Sequence, residues 1–475
     1  MIPALLIRGA TLLDGRSVDV RIVGGLIVEI GSGLDAADAR VIEAEAGLLI
    51  PGLHDHHVHV AATAAARTSV KCGPPDVVDR EGLARCLSMP GIGWLRGVGY
   101  HESVAGMLDR VWLDQVAPER PVRIQHRSGR MWFLNTAALE TLLAPGVPLP
   151  SGLDRVTGRL FDEDAWMQQV MAANMPAFDD VGAEWSRLGV TGITEMSPAN
   201  DDRVASHFVA ERERGALPQS VVLAGQASLG AGGMNRALKL GPVKIHLHEA
   251  DMPDFDTVVS MMRKAHAKGR TVAVHCVSEL ELVFTLAALR DAGVEPGDRI
   301  EHASICPDHL LQDIADQGLS VVAQPNFVSE RGDAYRQSIA PDEWSALYRL
   351  QSFVSAGVTL AGGTDVPFGD PDPWAAMAAA VSRRTLSGHV IGACEAMSPE
   401  QALSLFTADP VDLRRQRYVE VGCAASLCLL TRPWTEVRNA LSAADVRATV
   451  IEGRVIYDRV DQAPVQGGLG VDASA

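Results

Sequence analysis

Four histidines fall within six residues, His54-Asp55-His56-His57-Val58-His59, directly after the apolar run Leu48-Leu49-Ile50-Pro51-Gly52. Such a run reads as a strand, and strand side chains alternate between faces. His57 and His59 therefore point the same way, near enough to share one metal ion. His54 and His56 have the opposite parity and are read as lying outside that ligand pair. Neutral imidazole suits zinc, iron, nickel and copper. Four more groups able to bind metal stand at the ends of apolar runs: Lys244 in Pro242-Val243-Lys244-Ile245, His275 after Val272-Ala273-Val274, His302 in Arg299-Ile300-Glu301-His302, and Asp365 after Gly362-Gly363-Thr364. Their separations are 31, 27 and 63 residues. One strand–helix–strand unit takes roughly 30 residues. The four groups thus belong to successive parallel strands with one strand, near Val321, skipped. The carboxyl ends of such strands are where barrel active sites are built. Taken singly, each has a plainer reading: a packed histidine, an N-cap for a helix near Pro373-Trp374, one arm of an ion pair. Together, at one end of one sheet, they argue for one site.

The elements that would position this set are legible in outline. Residues 1–50 read as short strands, with Gly24-Gly25 as a two-residue hairpin turn between Asp19–Val23 and Leu26–Ile30. Residues 415–460 look similar, with Val446–Ile451 and Val455–Tyr457 separated by Glu452-Gly453-Arg454. Neither end has enough strands for a stable sheet of its own, so the two are expected to form one small domain, a split β-sandwich by the resemblance described below. Between them, over 51–414, apolar strands alternate with amphipathic segments. One of these runs from about Asp254 to Lys268, with Phe255, Val258, Val259 and Met262 on one face and Gly269 as its stop. That alternation implies a parallel sheet with helices outside it, an α/β fold of the (β/α)8, TIM-like barrel class. The stretch within about 60–190 holds more turns and prolines than a plain barrel needs and reads as an insertion. Residues 461–475 read as a loose tail.

The bulk properties exclude some classes. The chain has 475 residues and a formal charge of −17, which argues against nucleic acid or an anionic membrane as partner. No apolar run reaches the ~18 residues a bilayer span needs. The start Met1-Ile2-Pro3-Ala4-Leu5-Leu6 lacks the basic region of a signal peptide. The seven cysteines are scattered without framework spacing and read as reduced thiols, so a cytoplasmic location is expected.

The run Pro51-Gly52-Leu53-His54-Asp55-His56-His57-Val58-His59, the run Ala356-Gly357-Val358-Thr359-Leu360-Ala361-Gly362-Gly363-Thr364-Asp365 and the flanking β pieces resemble the amidohydrolase superfamily over about residues 1–460. A narrower resemblance is to the branch around N-substituted formamide deformylase. It rests on Gly97-Val98-Gly99-Tyr100-His101-Glu102, on Pro121-Val122-Arg123-Ile124, on Ser128-Gly129-Arg130-Met131-Trp132-Phe133-Leu134-Asn135 and on Ser151-Gly152-Leu153-Asp154. The resemblance implies that His57 and His59 bind a first metal and that His275 and His302 bind a second. It implies that Lys244 is carbamylated by carbon dioxide and bridges the two, and that Asp365 binds the first metal and moves protons. Burial favours the neutral amine that carbon dioxide requires, and two metals would hold a hydroxide at neutral pH and polarise a carbonyl. One or two divalent ions per chain are expected, with zinc the default and iron, manganese or nickel fitting the same set.

The chain departs from the branch in three places. Arg130 stands where the branch has His. Ile245-His246-Leu247-His248-Glu249 replaces an Asp-Gly-rich stretch. Ala425-Ser426-Leu427 replaces Ala-Asp-Leu. His246 and His248 share strand parity with Lys244 and could be extra ligands, supporting groups or rim residues. The substrate is expected to meet loops at the carboxyl end of the strands. Tyr100, His101, Arg130, Trp132 and Asn326 are the expected contacts, with Glu102, Arg127, Glu195 and Phe368 also placed to contribute. Arg130 in place of His suggests recognition of a carboxylate or another planar anion.

The reading is a metal-dependent hydrolase that cleaves a non-peptide C–N bond of a small molecule (an amide, formamide or cyclic amide) by attack of a metal-bound hydroxide. The rivals are a mononuclear deaminase, a metal-dependent lyase or decarboxylase, and a non-catalytic binding protein. Deaminases on this barrel lack the lysine and often place Glu three residues after the fifth-strand His; here Glu279 follows His275 by four. A silent protein would be expected to have lost a ligand, and none is missing. Members of the superfamily are frequently oligomeric, so a homo-oligomer is what the resemblance allows; no segment identifies an interface.

Overall fold

The computed structural model describes residues 3–74, 76–143, 149–163, 166–167, 170, 175–230 and 238–461. The loose tail expected from 461 falls outside them from 462 onward. The chain divides into two compact units, one of residues 1–60 with 178–475 and one of residues 61–177.

The first unit opens with β1 (Leu5–Thr11), β2 (Ser17–Val23), β3 (Leu26–Gly31) and β4 (Arg40–Glu43), ordered β3-β2-β1-β4 in one sheet. The Gly24-Gly25 turn forms as expected. Val23 pairs with Leu26, and both glycines have positive φ, 61° and 85°, as the right-handed twist of a two-residue hairpin demands. Next come β5 (Leu49–Pro51) and β6 (Leu53–Val58).

Residues 61–177 make the second unit around a six-stranded sheet. Its strands are β7 (Val70–Lys71), β8 (Leu95–Tyr100), β9 (Val122–His126), β10 (Met131–Leu134), β11 (Leu153–Asp154) and β12 (Arg159–Phe161), ordered β11-β12-β10-β9-β8-β7. Leu83, Tyr100, Leu113, Ile124 and Phe133 pack its core. This unit lies within the 60–190 stretch that reads as holding an insertion. The helix Asp179–Arg187 already belongs to the first unit, with Val181 and Trp185 buried.

The first unit resumes with β13 (Val190–Glu195), β14 (Ser220–Gly225), β15 (Leu238–His246), β16 (Val272–Cys276), β17 (Arg299–His302), β18 (Ser320–Ala323) and β19 (Thr359–Gly362). With β6 they form one eight-stranded, all-parallel sheet in chain order. Past β19 the chain meets β6 again. Asp365 N–H donates to His57 O at 2.8 Å, and His59 N–H donates to Val366 O at 2.9 Å. The sheet therefore closes into a (β/α)8 barrel. Several of its strands, such as Ser320–Ala323 and Val190–Glu195, are buried on both faces, as parallel sheets require. The helices follow the expected pattern: Phe255–His266 is capped by Asp254 Oδ2 accepting from Thr257 N–H, buries Val258, Val259 and Met262, and stops at Gly269, φ 69°. Lys244, His275, His302 and Asp365 lie on or just beyond β15, β16, β17 and β19, with β18 the skipped strand.

The chain ends in β20 (Leu427–Leu430), β21 (Val446–Ile451) and β22 (Arg454–Asp458), which join β5 in the order β22-β21-β20-β5. This sheet and the amino-terminal one share a single core: Leu5, Ile7, Val20 and Ile22 from one, and Leu427, Leu429, Ala448 and Val450 from the other. No helix among the described residues is long and apolar enough to cross a membrane.

Candidate metal centre

His57 sits near the end of β6 and is fixed at both its backbone and its ring. Its backbone N–H donates to Asp55 Oδ1 at 3.2 Å. Asp55 is itself held by Thr364 N–H (3.0 Å) and Thr364 Oγ1 (2.6 Å). His57 Nδ1 lies 2.5 Å from Glu301 Oε2, and Arg299 Nε donates to Glu301 Oε1 at 2.6 Å. Arg299 Nη2 continues to His56 O at 3.2 Å. All of these groups are buried. A carboxylate only accepts, so His57 Nδ1 carries the proton and Nε2 presents a lone pair. That lone pair faces Asp365 Oδ1 at 3.4 Å. His59 Nε2 faces the same oxygen at 3.2 Å, while its Nδ1 meets Ser197 Oγ at 3.0 Å.

The ligand atoms of His57, His59 and Asp365 all lie within 4.8 Å of one another. Asp365 Oδ1 is buried and accepts no well-formed hydrogen bond. An imidazole lone pair turned onto a carboxylate oxygen is repulsive unless a cation lies between them. The donor set, two imidazoles and a carboxylate, is that of a divalent transition ion with an open position. The residues therefore fit a metal.

Lys244, on β15, is 5% exposed, and its Nζ has no hydrogen-bond partner. Burial outweighs the nearby Glu301 carboxylate and lowers its pKa to about 8. The His302 ring stands 4.8 Å from His57 and 4.5 Å from His275. His302 Nδ1–H donates to Gln324 Oε1 at 2.7 Å, which turns Nε2 inward. Burial also lowers the pKa of His57, His275 and His302, so all three stand as the neutral imidazoles that ligate metals. Asp365, His302 and Ala303 have left-handed backbones, φ 57°, 71° and 46°. Such strain costs on the order of 1–3 kcal/mol each and collects at functional sites.

The structure thus brings His57, His59, Lys244, His275, His302 and Asp365 to one end of the barrel. His54 and His56 pack on each other with ring centroids 4.6 Å apart, and His54 Nε2 meets Thr194 Oγ1 at 2.9 Å. Neither is in the ligand cluster. Asn326 is buried, with its Nδ2 donating to Thr364 O at 3.0 Å and to Glu330 Oε1 at 3.0 Å; it braces the turn that carries Asp365. Glu195 accepts from Val60 N–H at 2.5 Å and Ser197 N–H at 2.9 Å, and so places the hydroxyl that meets His59. Phe368 stands edge-on to the His59 ring at 5.6 Å.

Tyr100, His101, Arg130 and Trp132 belong to the smaller unit. Tyr100 is in its core, with the hydroxyl donating to Gly106 O at 2.5 Å. Trp132 is buried there too, with the Arg123 guanidinium 5.5 Å from its ring. His101 caps Glu102–Ala105, accepting from Ser103 N–H at 3.2 Å. Arg130 does meet a carboxylate, but the chain's own: its fork pairs with Asp162, Nε to Oδ1 at 2.7 Å, above the Phe161 ring.

Sequence reasoning missed Glu301, Arg299 and Gln324. The available sign was Arg299-x-Glu301, opposite charges two apart in a buried strand.

The sequence profile of the Amidohydrolase family matches residues 40–457. N-substituted formamide deformylase of Arthrobacter pascens is 25% identical over 536 aligned positions, spanning 94% of this chain and 97% of that protein. The fold is similar to that of a metal-dependent hydrolase from Pyrococcus horikoshii OT3, with a TM-score of 0.74, 18% identity and coverage of 96% and 100%. It is also similar to that of N-isopropylammelide isopropylaminohydrolase from Burkholderia multivorans, with a TM-score of 0.56, 16% identity and coverage of 96% and 98%. With most of its length inside that profile, and with its ligand-type residues at the carboxyl ends of a closed parallel barrel, the chain belongs to the amidohydrolase family, hydrolases of C–N bonds other than peptide bonds.

Proposed function

We propose that this enzyme hydrolyses the C–N bond of a small N-substituted formamide or a related open or cyclic amide, at a metal centre built from His57, His59, Lys244, His275, His302 and Asp365. The observation that carries the reading is the convergence of the His57 and His59 nitrogens on an otherwise unpartnered Asp365 oxygen. The bond class follows the family; the formamide follows the near full-length likeness to the Arthrobacter deformylase.

A bound divalent ion, zinc by default, supplies acidified water and polarises the scissile carbonyl. His57 and His59 would hold it through Nε2, one fixed by Glu301 and the other braced by Ser197. Lys244, buried and unpartnered, would add its neutral amine to carbon dioxide. The new N–C bond leaves an anionic carbamate and releases one proton, and that anion would link the His57/His59 side to His275 and His302. Asp365 would accept the proton from the attacking water and pass it to the departing nitrogen.

Metal per chain, measured by elemental analysis on protein expressed with bicarbonate, tests this. Close to two ions per chain, falling in Lys244→Ala together with formamide hydrolysis, is the expected result. About one ion, indifferent to that substitution, removes the carbamate bridge and favours chemistry at a single metal.

A further inference from the structure

β15 ends at His246, but the backbone stays extended at His248, φ −140° and ψ 119°. Lys244, His246 and His248 therefore leave the chain on the same face. This is a second His-x-His at the carboxyl end of a barrel strand. Its rings are 5.2 Å apart, close to the 5.3 Å of His57 and His59, although the planes meet at 45° rather than 70°. Lys244 is buried, whereas His246 and His248 are exposed. Neither ring has a hydrogen-bond partner among the described residues, in contrast to the anchored rings of His57, His59 and His302.

His246 cannot share an ion with His275. The two rings are stacked, with centroids 4.3 Å apart and planes within 13°. A metal lies close to the plane of every imidazole that binds it, and stacked parallel planes offer no common point. His248 is the partner left to His246. The loop is held in place from behind: buried Glu281 accepts from Glu249 N–H at 2.9 Å, Val277 N–H at 2.7 Å and Ser278 N–H at 3.2 Å. The residue after His248 is thereby tied to the turn after His275.

We propose that His246 and His248 form an outer metal site at the barrel mouth, for an imidazole-preferring divalent ion such as Zn2+, Ni2+ or Cu2+, separate from the centre of His57, His59 and Asp365. The chain supplies two ligands, so water or a donor atom of a bound small molecule completes the coordination. The site fills after the inner centre and exchanges freely. The −17 charge of the chain favours its occupation.

The test is a Cu2+ titration of the metal-loaded enzyme, followed by electron paramagnetic resonance, with inner metal counted separately by elemental analysis. The expected result is one further copper per chain with nitrogen coupling from two imidazoles. His246→Gln and His248→Gln should each lose one nitrogen and weaken that copper roughly tenfold, with inner metal and the thermal transition unchanged. Further copper bound by the double variant as tightly as by the parent overturns the proposal. So does loss of inner metal from either single variant, which would assign these histidines to the inner centre. The inner count is read independently, so a failure of the binuclear reading is told apart from a failure of this one.

Discussion

The Glu301 carboxylate divides its two oxygens between His57 Nδ1 and Arg299 Nε, at 2.5 and 2.6 Å, and so decides which imidazole nitrogen faces the cluster. Groups in this position commonly change metal affinity or turnover by about 10–100-fold when altered. Glu301→Gln is expected to lower both within that range, read by competition with a chelator and by steady-state rates, and to lower the thermal transition as well, because buried Arg299 loses its counter-charge. A variant with unchanged metal affinity would show that His57 orients itself. At this scale the sequence was partly legible. The spacing of Lys244, His275, His302 and Asp365 placed all four, because one strand–helix unit has a nearly constant length. Glu301 was hidden because alternation sets it opposite to its neighbour His302. The structure resolves the conflict at His302, whose φ of 71° breaks the alternation and lets both side chains face inward. Strand parity holds only while the backbone stays extended, and the ends where sites are built are where it stops.

Among the elements, the seam between β19 and β6 carries the most consequence for the site. Gly363 lies against His57 so closely that a methyl group there would fall 2.5 Å from His57 Cβ and 2.7 Å from His57 N. Gly363→Ala is therefore expected to destabilise the protein by about 1–3 kcal/mol and to lower metal content, as His57 and Asp365 are pushed apart. Urea unfolding and elemental analysis would show it; unchanged values for both would mean that the seam yields without cost. The glycine pair at 362–363 was visible in the sequence as part of a motif, but the reason for it was not. Close approach between chain segments 306 residues apart has no local sign. The helices, by contrast, announced themselves, since caps such as Asp254 and stops such as Gly269 act within one turn. The smaller unit was sensed only as excess turns. Its strands β7, β11 and β12 are two or three residues long, too short for alternation to show.

For the molecule as a whole, the sandwich joins the two ends of the chain. Leu427 pairs with Pro51 and Leu429 with Leu49, and the buried faces of both sheets form one core. A chain ending at residue 426 keeps the barrel strands but loses three of the four strands in one sheet. It is expected to be largely insoluble, or to bind the dye ANS strongly, because Leu5, Ile7, Val20 and Ile22 lose their cover. A soluble truncated chain that leaves the dye dark would show that the amino-terminal sheet is stable alone. The same arrangement bears on how the protein is made. While the ribosome is still adding the barrel, the amino-terminal sheet is already outside with its apolar face bare, and its cover, β20–β22, is translated only after the barrel strands. Residues 1–50 must wait through several hundred elongation steps, which makes this segment the natural client of a nascent-chain chaperone and the first place where stalled synthesis would lead to aggregation.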